Sequence, residues 1–287
     1  MPLFSRPDGT LLKNESAVRQ IMPYLMRGRN EAVVYHETRY DLTRTLPWLA
    51  AQNVDGKKVT LFHLLLYAYA RTLHQRKGLN RFISGSKIWQ RKGVWISFAA
   101  KKAFADDAPI STVKLEFPED ITFAQVIELT SGSVGVVRRG GKRAVDTEMK
   151  LALALPTPIL RGVVAFLRWL DRVNLMPASM IRMDPMYASL FMANLGSIGI
   201  GDVYHHLFEY GTVSLFSVVG RVEKMIFIDE HGAAVVRDGV KICWSLDERI
   251  NDGFYCVNSL KIAQQIVENP AEHILSEQIE PAARRAP

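Results

Sequence analysis

The sequence Asp247-Glu248-Arg249-Ile250-Asn251-Asp252-Gly253 decides how this chain is interpreted. The residues before it, 240–245, are rich in β-branched, apolar and aromatic types, which predicts a strand. The residues after it, 254–267, carry apolar side chains at helical spacing, which predicts a terminal helix. The seven residues therefore connect a strand to a helix, and four of them are charged.

A second informative sequence is Phe191-Met192-Ala193-Asn194-Leu195-Gly196-Ser197-Ile198-Gly199, in which Ala193 stands 55 positions before Glu248. Residues 185–201 form the longest uncharged run, 17 residues with three glycines. A membrane-spanning helix needs about 20 apolar residues. The run therefore predicts a strand followed by a turn.

The two sequences resemble the D-H-R-x-x-D-G and T-I-S-N-L-G-x-x-G motifs of the dihydrolipoamide acyltransferases, the catalytic domains of 2-oxoacid dehydrogenase complexes. That family is related to chloramphenicol acetyltransferase. Further matches are the helix start Ala17-Val18-Arg19-Gln20-Ile21, a helix at 61–68 with its exit at 79–82, and strands at 94–100, 108–113 and 213–223. The resemblance implies an α/β fold, a chloramphenicol acetyltransferase-like two-layer sandwich with a mixed sheet covered by helices. It also implies a homotrimer whose substrate channel lies between subunits.

The resemblance locates the candidate site. Glu248 stands where the family has the histidine that takes a proton from the thiol of coenzyme A or dihydrolipoamide. Ala193 stands where the family has the serine that donates a hydrogen bond to the oxyanion. Asn194 and Asp252 match the family, and the resemblance implies an ion pair between Arg19 and Asp252 that fixes the turn.

Both replacements impair the family mechanism. A glutamate carboxyl has an ordinary pKa of about 4.3 and a thiol one of about 8.5, so proton transfer to a carboxylate is uphill by roughly 5.7 kcal/mol. Loss of an oxyanion donor costs about 10²- to 10³-fold in rate, and loss of a positioned base about 10²- to 10⁴-fold.

Two hypotheses about function remain open. In the first, the chain is a catalytically silent, trimeric binding or scaffold protein, a pseudoenzyme. In the second, it is a coenzyme A-dependent acyltransferase with a different acceptor and a mechanism assisted by Glu248. The resemblance suggests coenzyme A or acyl-CoA as ligand and an acyl carrier or another protein as partner, and the enzyme hypothesis alone requires coenzyme A to bind.

The composition is typical of a globular domain, with 48% hydrophobic and 23% charged residues among 287 and a net charge of +7. Cys243 and Cys256 are too few for a disulfide framework, which together with the absence of a signal peptide predicts a cytoplasmic protein with buried thiols. No spacing matches a metal site. The basic cluster at 138–143 lacks aromatic residues, so nucleic acid is not expected as a partner and a solvated loop is the simplest interpretation.

The domain organisation is predicted as an N-terminal arm, 1–14, and one acyltransferase-like domain, 15–287, with no lipoyl attachment and no subunit-binding module. Residues at about 143–186 form an insertion that the family lacks. Within it, residues 160–173 have helical apolar spacing. Three interpretations stay open for the segment 151–186: packing on its own domain or a neighbouring subunit, a lid over an acyl-chain pocket, or weak contact with a membrane surface through Trp169 and the arginines.

Two pairs of histidines are alternative candidates for the base. His205 and His206 are adjacent but lack the H-H-x-x-x-D-G pattern of the wider superfamily, so a position at a strand edge or interface is favoured. His63 and His74 lie on a predicted helix and are interpreted as core or surface residues. Periodicity predicts helices at 19–27 and 61–73, and strands at 32–40, 95–99, 190–194, 213–219, 225–228, 233–236 and 240–245.

Overall fold

The computed structural model describes residues 6–53, 58–101, 110–138 and 153–274. A six-stranded sheet in the order β2-β9-β8-β7-β5-β6 is its centre. The strands are β2 Val33–Asp41, β5 Trp95–Lys101, β6 Ile110–Glu116, β7 Leu190–Asn194, β8 Leu215–Ile228 and β9 Ala234–Asp247. β7 runs parallel to both β5 and β8, and the other neighbours are antiparallel, so the sheet is mixed as predicted.

A small sheet and the helices complete the described part of the chain. The small sheet has the order β1-β4-β3, with β1 Gly9–Leu11, β3 Arg81–Ser84 and β4 Lys87–Arg91. The helices are α1 Ala17–Leu25, α2 Thr45–Gln52, α3 Leu61–Gln75, α4 Phe123–Arg138, α5 Thr157–Arg172, α6 Ala178–Met183, α7 Gly253–Glu268 and α8 Pro270–His273. Short 3-10 turns occur at Lys77–Leu79 and Gly196–Ile198.

The main core lies between the large sheet and its helices. α3 buries ten of its fifteen residues, so it is covered on nearly every side and forms the centre of the helical layer, against α7 and α4. Because side chains alternate along a strand, Ile242, Trp244 and Leu246 of β9 all face this layer. Trp244 anchors it, packing edge-on to Tyr69 and donating from Nε1 to the Thr38 hydroxyl at 3.1 Å.

The opposite face of the sheet has a smaller apolar cluster. Cys243 of β9 contributes to it together with Phe191, Val218 and Phe216. The segment that follows β7 covers these residues with Leu207 and Phe208. The sheet therefore has a thick helical layer on one face and a thin irregular cover on the other, which confirms the predicted two-layer α/β fold.

Two long strands were each predicted as two short ones. β8 is continuous from Leu215 to Ile228, but its register shifts between Val219 and Val222, so the alternation of apolar residues breaks there. β9 is continuous through Arg237-Asp238-Gly239, where polar residues and glycine interrupt the apolar pattern. The sequence shows how apolar and polar side chains alternate over a few residues. The length of a strand also depends on its hydrogen bonds to a neighbouring strand, which the sequence does not show.

Several elements were not predicted from the sequence. α4 contains Gly132 and Gly135, and glycine lowers helix propensity by about 1 kcal/mol per residue. Residues 6–14, predicted as part of an N-terminal arm, belong to the domain, because β1 pairs with β4 and the Arg6 side chain is 1% exposed.

The predicted insertion contains α5 and α6, and its first residues, up to 152, lie outside the described residues, as does most of the basic cluster 138–143. In the part of the chain that the structure describes, no helix has the length and apolar character to cross a membrane.

His63 gives the stability of this fold a defined pH dependence. The Thr60 N–H donates to His63 Nδ1 at 3.1 Å at the start of α3, which requires a neutral ring, and burial lowers the pKa of His63 from 6.5 to about 4. The unfolded chain therefore binds more protons between pH 6.5 and 4, so stability is lost as the pH falls through this range.

We expect the lowered pKa of His63 to reduce the free energy of unfolding by about 2 kcal/mol as the pH falls from 7 to 5. His63→Gln keeps a side-chain acceptor at the third helical position and does not titrate. Its urea unfolding free energy should therefore fall by about 2 kcal/mol less over the same range. Equal pH dependence of the two proteins would contradict this assignment.

Candidate functional site

The candidate site begins where β9 ends. The Asp247 N–H donates to the Ser214 carbonyl at 2.9 Å, and the Glu248 N–H donates to the Ala32 carbonyl at 3.0 Å. Asp252 then caps α7, with its carboxylate accepting from the Tyr255 N–H at 2.7 Å. The strand-to-helix connection predicted from the sequence is thus held by backbone contacts on both sides.

A buried ion pair fixes the centre of this connection. Arg249 Nε and Nη2 donate to the two carboxylate oxygens of Asp247 at 2.8 and 2.7 Å, and the two side chains are 2% and 0% exposed. Arg249 Nη1 also donates to the Met26 carbonyl at 2.8 Å. A two-pronged, charge-assisted pair of this kind has a strongly preferred geometry, so it orients the backbone at Glu248.

Arg19 lies beside the same turn. Its Nη1 donates to the Glu248 carbonyl at 2.8 Å, and its Nη2 lies 3.9 Å from Asp252 Oδ2. The Asp252 side chain is 58% exposed, so solvent weakens that ion pair and the hydrogen bond to the carbonyl is the tighter contact. Arg19 therefore stabilises the turn mainly by binding the backbone carbonyl of Glu248.

The Glu248 side chain is half-buried and stands apart from these contacts. Among the described residues, none forms a hydrogen bond or ion pair with its carboxylate, because Arg249 is engaged by Asp247 and Arg19 by a backbone carbonyl. The carboxylate is thus available to solvent or a ligand.

Ala193 and Asn194 end β7 on another part of the sheet. Ala193 pairs with Val218 of β8, and its methyl packs against the smaller apolar cluster. Asn194 Oδ1 accepts from the Ser197 N–H at 3.2 Å and so holds the following turn. Neither side chain carries a hydroxyl group.

The sheet register separates Ala193 from Glu248 within one copy of the chain. Val218 is the partner of both Ala193 and Cys243, so Cys243 is level with Ala193 across the sheet. Glu248 lies five residues beyond Cys243, a distance of about 16 Å along an extended strand. One copy alone therefore does not bring the two positions into a common site.

The histidines have structural contacts. His205 stacks on Phe216, with ring centroids 4.1 Å apart and an interplanar angle of 4°, and burial lowers its pKa. Its carbonyl accepts from the Ser245 hydroxyl, and its ring stacks on His206 at 4.6 Å. His74 Nε2 lies 2.7 Å from the Phe117 carbonyl. His205 thus covers one face of the sheet, whereas His63 and His74 make structural contacts from α3.

The cysteines are buried and free, as predicted. Burial raises the pKa of Cys243 to about 11 and that of Cys256 to about 12, so both stay protonated near neutral pH and are poor nucleophiles. In the described ranges, no group of three histidine, cysteine, aspartate or glutamate side chains is arranged to hold a metal ion.

The structure contains a buried cationic cluster that the sequence did not predict. Arg6 is 1% exposed, and its guanidinium binds Asp8 at 2.9 Å and Asp171 at 2.8 Å. Arg91 lies nearby, 3.6 Å from Asp8, and burial lowers its pKa to about 10. Burial also lowers the pKa of Lys114 to about 7, although its ammonium donates to the Ile181 carbonyl at 2.7 Å. These residues are scattered along the chain, so no spacing pattern marks them.

A groove of about 480 Å³ lies between α1 and the small sheet and is lined by residues such as Leu12, Tyr24 and Ile88. It contains neither Glu248 nor Ala193, so the chemistry implied by the motifs is not located there.

Comparison with known proteins agrees with this geometry. The chain is 24% identical over 219 residues to the lipoamide acyltransferase component of the branched-chain alpha-keto acid dehydrogenase complex of Bacillus subtilis. That match covers 76% of this chain but only 41% of the relative. A probable dihydrolipoamide acetyltransferase from Listeria monocytogenes superposes with a TM-score of 0.62 at 17% identity, covering 92% of this chain and 97% of that one.

The chain has the fold of the dihydrolipoamide acyltransferase catalytic domain. The resemblance inferred from the two motifs is thereby confirmed. The cubic core of a pyruvate dehydrogenase multienzyme complex shares this acyltransferase fold, with a TM-score of 0.60 at 16% identity over 93% of this chain and 95% of that one. Chloramphenicol acetyltransferase matches with a TM-score of 0.50 at 11% identity, over 91% and 98% of the two chains. No protein-family model matches the sequence.

The buried pair makes a testable prediction about the acyltransferase fold. Arg249→Met removes the partner of a fully buried carboxylate, so we expect a loss of about 3–5 kcal/mol in unfolding free energy, measured by urea denaturation. Arg221→Met is the control, because Arg221 forms an exposed pair with Glu223, and it should cost less than about 1 kcal/mol. Similar losses in both variants would show that the buried pair does not have this role.

Proposed function

We propose that the protein is a homotrimer that binds coenzyme A or acyl-CoA between its subunits and lacks the acyltransferase chemistry of its relatives, acting as a binding or scaffold protein. One observation carries the proposal. The scaffold around the motif is complete, with its buried Asp247–Arg249 pair and its Arg19 contact, while the two positions expected to act on the substrate hold Glu248 and Ala193.

The residue correspondence is supported by a further solved structure. Work on the dihydrolipoamide acetyltransferase of Azotobacter vinelandii concerns the roles of a serine, a histidine and an asparagine in its catalytic mechanism. Its histidine and asparagine are four positions apart in sequence, as Glu248 and Asp252 are here. That spacing supports Glu248 as the position of the histidine and Asp252 as the position of the asparagine.

The two replacements act on different parts of the reaction. A carboxylate is a much weaker base toward a thiol than a histidine, because the difference in ordinary pKa is about 4 units. A methyl group at Ala193 cannot donate a hydrogen bond to a developing oxyanion. Binding needs neither function, so a ligand channel is compatible with the loss of catalysis.

The separation of the two positions supports an oligomer. A site that uses both Glu248 and Ala193 needs a second copy, since they lie about 16 Å apart along one sheet. Within the described ranges, the outer parts of β8 and β9 pair only with each other, and they expose Ile226, Ile228 and Val236, which are 66%, 68% and 67% accessible. Such an exposed apolar surface suits contact between copies.

A second candidate function is a coenzyme A-dependent acyltransferase with a different acceptor. The free Glu248 carboxylate favours it, because among the described residues no cation neutralises this group and it could accept a proton from an acceptor more acidic than a thiol. The acceptor would come from an acyl carrier or another protein partner. A reducing compartment such as the cytoplasm suits the two free thiols in either case.

Calorimetry and an acyl-transfer assay distinguish the two functions. We expect the unmodified protein to bind coenzyme A without turning over acyl-CoA, and Glu248→Gln to leave binding unchanged. Glu248→His combined with Ala193→Ser restores both reacting groups and should create measurable transfer, whereas Ala193→Ser alone should not. Turnover by the unmodified protein that falls at least about tenfold in Glu248→Gln would favour the enzyme. Absence of coenzyme A binding in every variant would refute both functions.

The oligomer is tested by light scattering after gel filtration. Ile226→Asp places a charge on the exposed β8–β9 surface, so we expect it to convert trimers to monomers. Val136→Asp is the control, because Val136 is likewise an exposed β-branched apolar residue, 45% accessible, but lies on α4 in the helical layer. A monomeric unmodified protein would contradict the proposed trimer.

A further inference from the structure

Among the residues that the structure describes, contacts of the helix α5 with the rest of the domain lie along one side. Leu167 packs against Met176, Ile181 and Tyr187, and the Asp171 carboxylate binds Arg6 at 2.8 Å. Gly85 supports this placement, because its left-handed backbone passes so close to the Arg172 carbonyl that a side chain there would collide with it. α5 nevertheless has no fully buried residue, so most of its surface faces away from the domain.

The outward side of α5 has two kinds of side chain. Phe166 and Trp169 are 56% and 52% exposed and stack on each other with ring centroids 5.9 Å apart. Ile159, seven residues before Phe166, is 53% exposed on the same side. At 100° per residue, the arginines occupy a separate side of the helix next to the aromatic pair: Arg161, Arg168 and Arg172.

The charged residues in and around α5 are mostly positive. Residues 153–183 contain four arginines (Arg161, Arg168, Arg172 and Arg182) and a single acidic residue, Asp171. Asp171 is already paired with Arg6 against the domain. Across the described ranges, no ion pair involves any of the four arginines, so the outward surface presents apolar and cationic groups without compensating carboxylates.

We propose that α5 is an interfacial helix that docks the protein on an anionic lipid surface. Ile159, Phe166 and Trp169 would enter the boundary between headgroups and acyl chains, and the arginines would bind lipid phosphates alongside them. Charge complementarity selects this occupant. A second copy of this chain, itself cationic with a net charge of +7, would bring like charges together unless it supplied carboxylates at the contact, whereas an anionic bilayer supplies phosphates at any lateral position.

The fixed anchoring of α5 supports this role. Because Arg6, Ser84 and Leu167 hold the inner side of the helix, its aromatic side is presented to the outside without unfolding of the domain. Adsorption therefore requires no large rearrangement, and it leaves the strand-to-helix connection at Glu248 untouched.

Vesicle flotation of the full chain tests the proposal. We expect binding to phosphatidylcholine vesicles that contain about one third phosphatidylglycerol and much weaker binding to pure phosphatidylcholine. Arg161→Gln with Arg168→Gln should weaken binding to the anionic vesicles about 25-fold, at the usual contribution of a basic residue near such a surface. Arg44→Gln with Lys261→Gln removes the same charge from exposed positions beside α2 and on α7 and is the matched control, with little effect expected.

The apolar side is tested separately. Phe166→Ser with Trp169→Ser should abolish vesicle binding while thermal unfolding stays cooperative, because neither side chain is buried. The control is Val18→Ser with Leu25→Ser, two exposed apolar residues of α1 that are 72% and 65% accessible, and it should bind as the unmodified protein does.

Several results would overturn the proposal. These are an unmodified protein that stays in solution with anionic vesicles, equal binding to neutral and anionic vesicles, or α5 variants that bind as strongly as the unmodified protein. Dissociation of the oligomer by Phe166→Ser with Trp169→Ser in the absence of vesicles would also overturn it, since the surface would then be a contact between copies.

Discussion

The buried ion pair between Asp247 and Arg249 is the constraint on which the rest of the site depends. A carboxylate that is fully removed from water must be paired completely, because an unpaired buried charge costs several kcal/mol. Arg249 meets that need and also binds the Met26 carbonyl, so one guanidinium joins the end of β9 to the segment after α1. The path of the chain through Glu248 follows from these contacts.

This arrangement separates Glu248 and Ala193 from the residues that hold the fold. Glu248 is half-buried with a free carboxylate, and Ala193 contributes only a methyl group to an apolar cluster, so neither side chain fixes the backbone. Asp247, Arg249 and Arg19 have no such freedom, because each satisfies a defined partner. The connection at 247–253 is therefore held by residues other than Glu248.

Buried charges also determine how the inserted helix is attached. Arg6, from the segment before β1, reaches Asp171 at the end of α5 and packs on Phe82 and Trp89. The helix is thereby fixed at one side, while its aromatic and cationic side stays exposed. The same physical requirement, pairing of a buried charge, thus explains both why the connection at 247–253 is well ordered and why α5 is held with its aromatic and cationic side exposed.

The sequence by itself determined the elements whose pattern of buried and exposed residues is visible in consecutive side chains. β7 has the predicted bounds, α3 extends the predicted helix by two residues, and the two motifs indicated the acyltransferase fold. Local spacing is enough there, because the periodicity of a helix or strand is written in consecutive side chains. Only the tertiary structure decided that β8 and β9 are continuous, that Arg6 binds Asp171, and that Ala193 and Glu248 lie far apart in one copy. Each of these depends on partners distant in sequence, and no local pattern specifies which distant residue a strand or a buried charge will meet.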